Sequence, residues 1–393
     1  MSDVATPALI PTPTPASAPV TRDVVLEPPA VAMVWTGVGR PHEIVAVPGV
    51  VLGPGETLVA IELATVCGSD VHTVEGRRPA PAPLVLGHEY VGRVIDVVDG
   101  VRAVDGAPVH VGDRIVWSIM AGCRDCDRCR RGLPQKCRSL LKYGHERIQV
   151  HWELTGGFAT HAHLRPGTAI VRIGEALRAE VAAPAACGGA TAWAALERAE
   201  DIVDLDGATM LILGAGLIGL TACAMATDRG ATVVVADPDP SRRALAARFG
   251  AAQVADPTDA RGLTAALAAT GRPEYDVVLE ASGSPRAVRS AIDAVGVGGV
   301  VLLVGSVFPT EPLQLDPERL VRGLVTIRGV HNYAPRDLDG AIRWLCEHAG
   351  ERPFEELVSA RYPLTQIDQA LAAAASGAAV RVGVDPRDAQ RRR

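Results

Sequence analysis

The sequence has few aromatic residues and no excess of positive charge. Only 4% of its 393 residues are aromatic, and 45 acidic side chains outnumber 39 basic ones, for a net charge of −6. Nucleic-acid-binding surfaces need clustered basic groups, and single strands also need aromatic platforms on which bases stack. The composition therefore argues against nucleic acid, and against an anionic membrane surface, as the main partner.

The sequence also lacks an uncharged apolar run of the ~20 residues that a membrane span needs. Its start, MSDVATPALIPTPTPASAPV, has neither the basic residues nor the apolar core of a secretory signal. We therefore expect a cytoplasmic protein whose cysteines are thiols or metal ligands rather than disulfides. Prolines alternating with small residues predict a disordered tail over residues 1–30. The closing RDAQRRR predicts a second, solvated tail.

The remaining chain changes character near residue 189, which predicts two domains. Before it, runs such as EIVAVP, TLVAIELATV and DRIVW are rich in Val and Ile and are broken by Gly, Pro and Asp. This pattern predicts a β-rich barrel or compact sheet. After it, MLILGAGLIGL, ATVVVADPD and GGVVLLVG alternate with helical stretches. That alternation predicts an α/β domain with a parallel sheet covered on both faces.

The first apolar strand of the second domain leads into a GxGxxG turn. Gly214 permits the tight turn, Gly216 lets the backbone approach a pyrophosphate, and Gly219 lets the helix pack on the strand. The amides of Leu217 and Ile218, at the start of that helix, would face the phosphates. The whole unit predicts a dinucleotide site, although a glycine turn without a ligand is the alternative.

Asp237 ends the next strand, close to the spacing of about 20 residues that dinucleotide-binding units show. Its carboxylate can accept hydrogen bonds from a ribose 2′-hydroxyl and would repel a 2′-phosphate. This favours NAD over NADP. The nearby Arg242 is a second candidate for cofactor contact, and with Arg243 it leaves NADP open.

One polar loop, CRDCDRCRRGLPQKC, carries four cysteines: Cys123, Cys126, Cys129 and Cys137. Two-residue gaps let successive thiolates converge on one ion, and a glycine and a proline in the longer gap can turn the chain back. Four thiolates without an open position describe a structural zinc site at 123–137. An iron–sulfur cluster, a disulfide pair or four free thiols are the alternatives, and the long last gap counts against the cluster.

Three other potential ligands stand on separate loops. Cys67 lies in ATVCGSDVH, His88 in LGHEYVG, and Cys187 in EVAAPAACGG. Taken singly, such a cysteine is more typical of a core thiol, and such a histidine of a turn. Together they match the Cys₂His set of a catalytic zinc site, which keeps a fourth position open for water or substrate.

In this order, the motifs resemble the zinc-dependent medium-chain alcohol and polyol dehydrogenases, over nearly the whole chain from about residue 31 to 384. The resemblance implies a GroES-like catalytic domain over 31–188 and 333–386, with a Rossmann NAD-binding domain inserted over 189–332. It also implies hydride transfer between NAD(H) and an alcohol or its aldehyde or ketone. Two zinc ions per chain, one catalytic and one structural, and a homodimer or homotetramer are expected.

The resemblance also assigns roles to single residues. It implies that Cys67, His88 and Cys187 bind the catalytic zinc, that Glu89 can approach the metal or replace its water, that Ser69 and His72 relay the proton, and that Thr191 lies beside the nicotinamide. Asp70 is expected to orient His88 as a hydrogen-bond acceptor. Many polyol dehydrogenases have Glu at the position of Cys187, so the site is more similar to the alcohol dehydrogenase type.

The substrate is less well defined. KYGHER, SVFPT and RGVHNYAPRDL resemble a subgroup named for an association with phosphonate catabolism, a name that rests on gene neighbourhood. The shortage of aromatic residues favours a small, polar alcohol; a cyclitol or sugar alcohol is one alternative, and a non-catalytic nucleotide-binding protein is another. His331, Asn332 and Tyr333 are expected either to touch substrate or cofactor, or to order the domain junction.

Overall fold

Three β-sheets organise the chain, which a computed structural model describes over residues 21–387 and 389. The strands are β1 (Arg22–Trp35), β2 (Glu43–Leu52), β3 (Thr57–Val66), β4 (Leu84–Val85), β5 (Glu89–Val97), β6 (Arg114–Ala121), β7 (Leu141–Lys142), β8 (His161–Leu164), β9 (Thr168–Arg172), β10 (Thr209–Leu213), β11 (Thr232–Ala236), β12 (Gln253–Ala255), β13 (Tyr275–Glu280), β14 (Val295–Leu303), β15 (Thr326–Gly329), β16 (Val358–Pro363) and β17 (Arg381–Asp385).

Helices pack against the sheets, and α1, α4 and α5 contribute residues to the candidate site. They are α1 (Gly68–Val74), α2 (Asp127–Arg130), α3 (Ala179–Pro184), α4 (Ala190–Glu200), α5 (Leu217–Asp228), α6 (Pro240–Arg248), α7 (Ala260–Ala269), α8 (Pro285–Ala294), α9 (Pro317–Gly323), α10 (Pro335–His348) and α11 (Ile367–Ala375). In the described part of the chain, no helix is both long enough and apolar enough to cross a bilayer.

The first strand corrects the predicted N-terminal tail. β1 begins at Arg22, within the stretch 1–30 that was predicted to be disordered, and pairs antiparallel with β2. Its two prolines lie where the pairing register shifts, between Val25 and Ala30, so neither has to donate a ladder hydrogen bond. Residues 22–30 are therefore part of a strand, where a disordered tail was predicted. Residues 1–20, and most of the C-terminal RDAQRRR, lie outside the described residues.

The β-rich part of the chain forms two of the sheets. β2, β1 and β4 make a small sheet, and β16-β17-β3-β5-β6-β7 make an eight-stranded one in which β8 pairs with β3 and β9 with β6. Val382 of β17 pairs with Val66 of β3, so residues near the C-terminus complete a sheet that begins near the N-terminus. Every residue of β6 is buried, which places this strand in the core.

The third sheet is parallel throughout, in the order β12-β11-β10-β13-β14-β15. This is a doubly wound order, and β10 is buried along its length, as an apolar strand covered by helices on both faces should be. The next strand in the chain, β11, lies on one side of β10, and β13 lies on the other side. A crevice therefore opens at the carboxyl end of β10.

A single helical run crosses from the β-rich part to the parallel sheet. α3 continues through a π-helical turn, Ala185–Gly189, into α4, and α4 packs against α5 and α10. The predicted domain boundary between residues 188 and 189 falls inside this run. The bounds 31–188, 189–332 and 333–386 therefore stay predictions.

Candidate active site

Asp70 holds two ligand-bearing loops together. Cys67 follows strand β3 and precedes helix α1, and its backbone N–H donates to Asp70 Oδ2 at 3.0 Å. The other carboxylate oxygen accepts the N–H of Gly87, at 3.3 Å, from the segment that carries His88. Asp70 is buried, so these bonds are shielded from water. The two loops are thereby fixed relative to each other before any metal binds.

The same carboxylate faces the imidazole of His88. Asp70 Oδ1 lies 3.2 Å from His88 Nδ1, and Ser69 Oγ lies 3.2 Å from His88 Nε2. Burial acts to lower the pKa of His88, but the negative charges of Asp70 and Cys67 outweigh it and raise this pKa to about 10. A negative field that holds a proton on the ring also favours a metal cation at Nε2.

Cys187 lies in the π-helical turn. Such turns widen a helix locally and are frequent at functional sites. The Thr191 hydroxyl donates to the Cys187 carbonyl at 2.7 Å, and the Tyr333 hydroxyl donates to the Ala186 carbonyl. A Cβ at Gly188 would lie 2.4 Å from the end of the Leu217 side chain, so this glycine lets the turn lie close to the start of α5. The packing of two helices thus places Cys187.

These three loops bring their ligand atoms together. The Sγ atoms of Cys67 and Cys187 and a ring nitrogen of His88 all lie within 4.8 Å of one another. Zinc bonds of about 2.3 Å to sulfur and about 2.0 Å to nitrogen fit a set of this size. A hydrogen bond with Cys187 lowers the pKa of the Cys67 thiol well below its usual range, and His88 adds to this. The thiolate is the form that binds metal.

The set of three ligand atoms does not include Glu89, which was predicted to be able to approach the metal or replace its water. Its carboxylate accepts from Arg381 Nε and Nη2 at 2.8 and 3.0 Å, and from the Thr65 hydroxyl at 2.6 Å. A fully buried carboxylate needs such partners, and strand β17 supplies the arginine. Direct metal binding by Glu89 would require these bonds to break.

The four-cysteine loop forms a second compact set. The sulfur atoms of Cys123, Cys126, Cys129 and Cys137 lie within 4.8 Å of one another. Backbone N–H groups point at three of them, from Cys126 to Cys123 Sγ at 3.3 Å, from Arg138 to Cys126 Sγ at 3.5 Å and from Cys123 to Cys137 Sγ at 3.3 Å. The Arg138 N–H is the main cause that lowers the pKa of Cys126 to about 6. The spacing fits one tetrahedral ion better than a cluster, in which each cysteine binds a different iron.

The glycine turn has the shape of a phosphate cradle. Gly214 has φ +107°, and a Cβ at Gly219 would lie 1.9 Å from the Gly214 carbonyl oxygen, so neither position suits a larger residue. A Cβ at Gly216 would meet no described atom within 4 Å, which leaves open space beside the start of α5 at Leu217 and Ile218. This space is what a pyrophosphate needs at a helix N-terminus.

Asp237 closes the turn from the side. One carboxylate oxygen accepts the N–H of Ala215 at 2.8 Å, and the other accepts the N–H of Asp239 at 2.9 Å. Arg242, predicted to contact the cofactor, donates instead to the carbonyls of Gly377 and Ala379 at 2.7 and 2.9 Å. Arg242 therefore links helix α6 to the loop before β17.

A cavity of about 280 Å³ joins the two halves of the site. The three potential zinc ligands, Ser69 and His72 line it from the β-rich part, and Thr191, Ile218, Ser282, Val304 and Gly305 line it from the parallel-sheet part. His72 packs edge-on against Phe308 with ring centroids 4.3 Å apart. Burial, and then the positive charge of Arg77, lower the pKa of His72. The imidazole is therefore neutral at neutral pH and able to accept a proton.

His331, Asn332 and Tyr333 are consecutive in the sequence but do not share one environment. His331 and Asn332 line the cavity, and their contact with substrate or cofactor stays a prediction. Tyr333 is buried outside it, where its hydroxyl accepts the N–H of Ile119 at 3.1 Å as well as donating to Ala186. Tyr333 therefore orders the junction around the π-helical turn, which was the other expectation.

The cavity residues that sequence reasoning missed include four with basic or aromatic side chains: Arg78, Lys142, His145 and Phe308. Lys142 and His145 belong to KYGHER, which was noted only as a subgroup motif. Arg78 lies in a turn whose sequence, GRRPAPAP, has no motif of its own. The sequence did contain one signal that could have drawn attention to Lys142, because it and Lys136 are the only two lysines in the chain.

Comparison with known families matches both halves of the chain. Residues 53–175 match the family described as "Alcohol dehydrogenase GroES-like domain", and residues 218–347 match "Zinc-binding dehydrogenase". Geraniol dehydrogenase from Castellaniella defragrans is 33% identical over 350 residues, which cover 83% of this chain and 89% of that protein. L-threonine 3-dehydrogenase from Chelativorans sp. is 30% identical over 340 residues, which cover 85% and 92%.

A solved structure extends the similarity to three dimensions. The alcohol dehydrogenase from Thermotoga maritima matches with a TM-score of 0.82 at 29% identity, over 91% of this chain and 99% of that one. Together with the GroES-like match, this confirms the predicted α/β fold class, a GroES-like β-rich catalytic domain combined with a Rossmann doubly wound parallel sheet.

Proposed function

Because the chain belongs to the zinc-dependent medium-chain alcohol dehydrogenase family, we propose that it transfers a hydride between NAD(H) and a small, polar alcohol or its carbonyl product. One observation carries the proposal. The Cys67, His88 and Cys187 ligand atoms lie at the wall of a cavity that the parallel-sheet residues Thr191 and Ile218 also line. A metal-bound alcohol and a nicotinamide would meet there.

The donor atoms suit two zinc ions. Cys67, His88 and Cys187 would hold the catalytic ion and leave a position open towards the cavity, whereas the Cys123–Cys137 loop would close around a structural one. When bound, zinc supplies Lewis-acid polarisation of the substrate oxygen and NAD supplies the hydride acceptor. The protein's part is to position these groups and to move the proton.

Ser69 and His72 are proposed to move that proton. The Ser69 hydroxyl lies beside the metal-binding edge of His88, so it is within reach of a hydroxyl group held at the open position. His72 lines the same cavity with a buried Nδ1 that has no hydrogen-bond partner in the described chain. A neutral imidazole in that state can accept the proton and pass it towards solvent.

The surroundings of Asp237 support NAD rather than NADP. Its carboxylate stands at the end of β11 beside the glycine turn, where it can accept the ribose hydroxyls. Each of the two arginines nearest to this carboxylate also donates to backbone carbonyls. Arg242 donates to the loop before β17, and Arg243 donates to the Asp237 carbonyl at 2.7 Å.

The proposal is tested by removing one catalytic ligand. In Cys67→Ala we expect zinc to fall from two ions per chain to one and alcohol turnover to be lost, while NADH binding persists. Cys346→Ala, which removes an exposed thiol on α10, is the matched control and should keep both zinc ions and full turnover. Metal analysis and an NAD(H) assay with an alcohol panel give the readouts. Full turnover by a one-zinc Cys67→Ala protein would contradict the proposal.

A further inference from the structure

Two cationic side chains line the cavity without an acidic partner in contact. Arg78 follows helix α1 and Lys142 ends strand β7, and both are half-buried. Within residues 21–387, neither the Arg78 guanidinium nor the Lys142 ammonium group has a hydrogen bond or an ion pair. Glu146, the nearest acidic residue on the Lys142 loop, accepts the backbone N–H of Lys142 at 3.0 Å rather than its ammonium group.

The two cations are close enough to affect each other. Burial lowers the pKa of Lys142 to about 8, and the positive charge of Arg78 is the next cause. For Arg78, burial also lowers the pKa, and only Asp70 and Cys67 oppose this. Like charges held together in a partly dehydrated cavity raise the free energy of the protein, and an anion placed between them would offset that cost.

The metal ligands do not supply this anion in the loaded enzyme. Cys67 and Cys187 carry two negative charges as thiolates, which a divalent ion balances. The carboxylate of Asp70 is occupied by the amides of Cys67 and Gly87 and by His88. The positive charges of Arg78 and Lys142 therefore stay unbalanced, so the cavity is net positive beside the position where the substrate oxygen would bind.

A third donor faces the same space. Lys136 Nζ donates to His331 Nδ1 at 2.9 Å, so the ring proton of His331 is on Nε2, the opposite edge of a ring that lines the cavity. Lys136 and Lys142 are the only lysines in the sequence, whereas arginine serves at every other basic position. Lys142 thus lines the cavity and Lys136 contacts it through His331, where a compact ammonium group differs from a planar guanidinium.

The cofactor phosphates are not the natural partners of these cations. The pyrophosphate cradle at Gly214–Gly219 is built from the parallel sheet, and neither Gly214 nor Gly216 lines the cavity. Arg78 and Lys142 come from the β-rich part, and the charge of Cys67 acts on both of them. They line the same cavity as the three potential zinc ligands.

We propose that Arg78 and Lys142, with His331 as an additional donor, form an anion subsite, so that the substrate is a small alcohol carrying a phosphonate, phosphate or carboxylate group. The inference rests on the proposed function and narrows its substrate class. A neutral polyol would leave two cations facing hydroxyl groups only, whereas an oxyanion satisfies charge and hydrogen bonds together.

The first test measures occupancy without turnover. Because the chain has two lysines, modification of Lys142 by trinitrobenzenesulfonate can be followed by peptide mass in the zinc-loaded enzyme. We expect 2-hydroxyethylphosphonate, and more weakly 3-hydroxypropanoate, to protect Lys142, and 1-propanol not to. Protection by NAD alone that an anionic alcohol does not increase would assign the cations to the cofactor and overturn the inference.

The second test compares kcat/KM for the same three alcohols. We expect the preference for an anionic alcohol over 1-propanol to fall about 10- to 100-fold in Arg78→Met and in Lys142→Met, mainly through KM, because each variant loses a charge-assisted hydrogen bond. Arg77→Met, at the neighbouring exposed arginine that pairs with Glu75, should retain the wild-type preference. If 2-hydroxyethylphosphonate is preferred to 3-hydroxypropanoate, the subsite takes a dianion.

The two tests separate the two proposals. Turnover of all three alcohols at similar kcat/KM, with no protection of Lys142, would overturn the anion subsite and leave the dehydrogenase function standing. Protection of Lys142 by anionic alcohols, without turnover of any alcohol or carbonyl, would support the subsite and contradict the proposed function.

Discussion

At the scale of single residues, the site depends on buried polar groups that have more than one task. Asp70 binds two backbone amides and faces His88, so one carboxylate fixes both ligand loops and the ring orientation. Ser69, three positions before His72, lies beside the metal-binding edge of the same ring. The proposed role of Ser69 in proton transfer therefore depends on Asp70, the next residue, which holds the loop and the His88 ring in place.

The proton relay gives a prediction at this scale. Because the pKa of His72 is lowered by burial and by Arg77, the imidazole stays neutral through the neutral range and loses its capacity to accept a proton only at lower pH. We expect His72→Ala to slow alcohol oxidation by about 100-fold near neutral pH, where the wild-type ring is neutral and can accept the proton, within the usual range for a general base. The deficit should shrink as pH rises, since hydroxide then takes the proton directly.

A pH–rate profile of wild type and His72→Ala measures this. His110→Ala, which removes an exposed histidine, should reproduce the wild-type profile. Superimposable profiles for wild type and His72→Ala would rule out the relay.

At the scale of elements, two local departures from regular structure create the site. The π-helical turn lets one helix run between the two parts of the chain while presenting Cys187. The glycine turn brings the end of β10 and the start of α5 close together, with an open cradle at Gly216. Both depend on residues without side chains at points of close approach.

The glycine turn gives a prediction with its own control. Ala at Gly219 would place a methyl group 1.9 Å from the Gly214 carbonyl, and overpacking of this kind costs about 1–3 kcal/mol. Ala at Gly216 meets open space in the unliganded chain, and its φ of −81° suits any residue. We expect Gly219→Ala to lower the melting temperature, and Gly216→Ala to retain it but weaken NADH binding at least about tenfold.

Thermal unfolding and an NADH fluorescence titration measure the two effects. Wild-type NADH affinity in a folded Gly216→Ala protein would show that the pyrophosphate does not occupy this cradle.

At the scale of the whole molecule, β17, the last described strand, joins β3 and β5 of the eight-stranded sheet. Arg381 of β17 pairs with Glu89 of β5, 292 positions away, and the carboxylate is fully buried. Strand β17 also pairs with β3, which leads to Cys67. The C-terminal segment therefore stabilises the ligand loops, and Arg242 ties the same segment to the parallel-sheet half.

The buried ion pair gives a prediction at this scale. Arg381→Met leaves the Glu89 carboxylate without its cation, and removing one partner of a buried pair costs about 3–5 kcal/mol of unfolding free energy. Adding Glu89→Gln should recover part of the loss, because the uncompensated charge is removed. Denaturant unfolding of the zinc-loaded proteins measures both.

An exposed pair on α9 is the matched control. Arg322→Met breaks the pair with Glu318, whose side chains are 80% and 72% exposed, and should cost less than about 1 kcal/mol. If the double variant loses as much unfolding free energy as Arg381→Met and Glu89→Gln lose together, the two residues are not energetically coupled.

Local patterns in the sequence were sufficient to predict the alternation of elements and to locate two of the candidate sites. The glycine turn, the four-cysteine loop and the alternation of strands and helices follow from neighbours a few residues apart, whose backbone geometry and burial are set by short-range contacts. The parallel sheet confirms that alternation. The predicted tail over 1–30 was wrong beyond Arg22, because strand β1 accommodates its prolines at a register shift.

The sequence by itself determined which residue types were available, and only the tertiary structure decided which of them meet. The fold brings the ligand atoms of Cys67, His88 and Cys187 together. It pairs Glu89 with Arg381 instead. It also places Arg78 and Lys142 in the lining of one cavity. These contacts join segments far apart in the chain. They depend on strand register and helix packing, which no short stretch encodes.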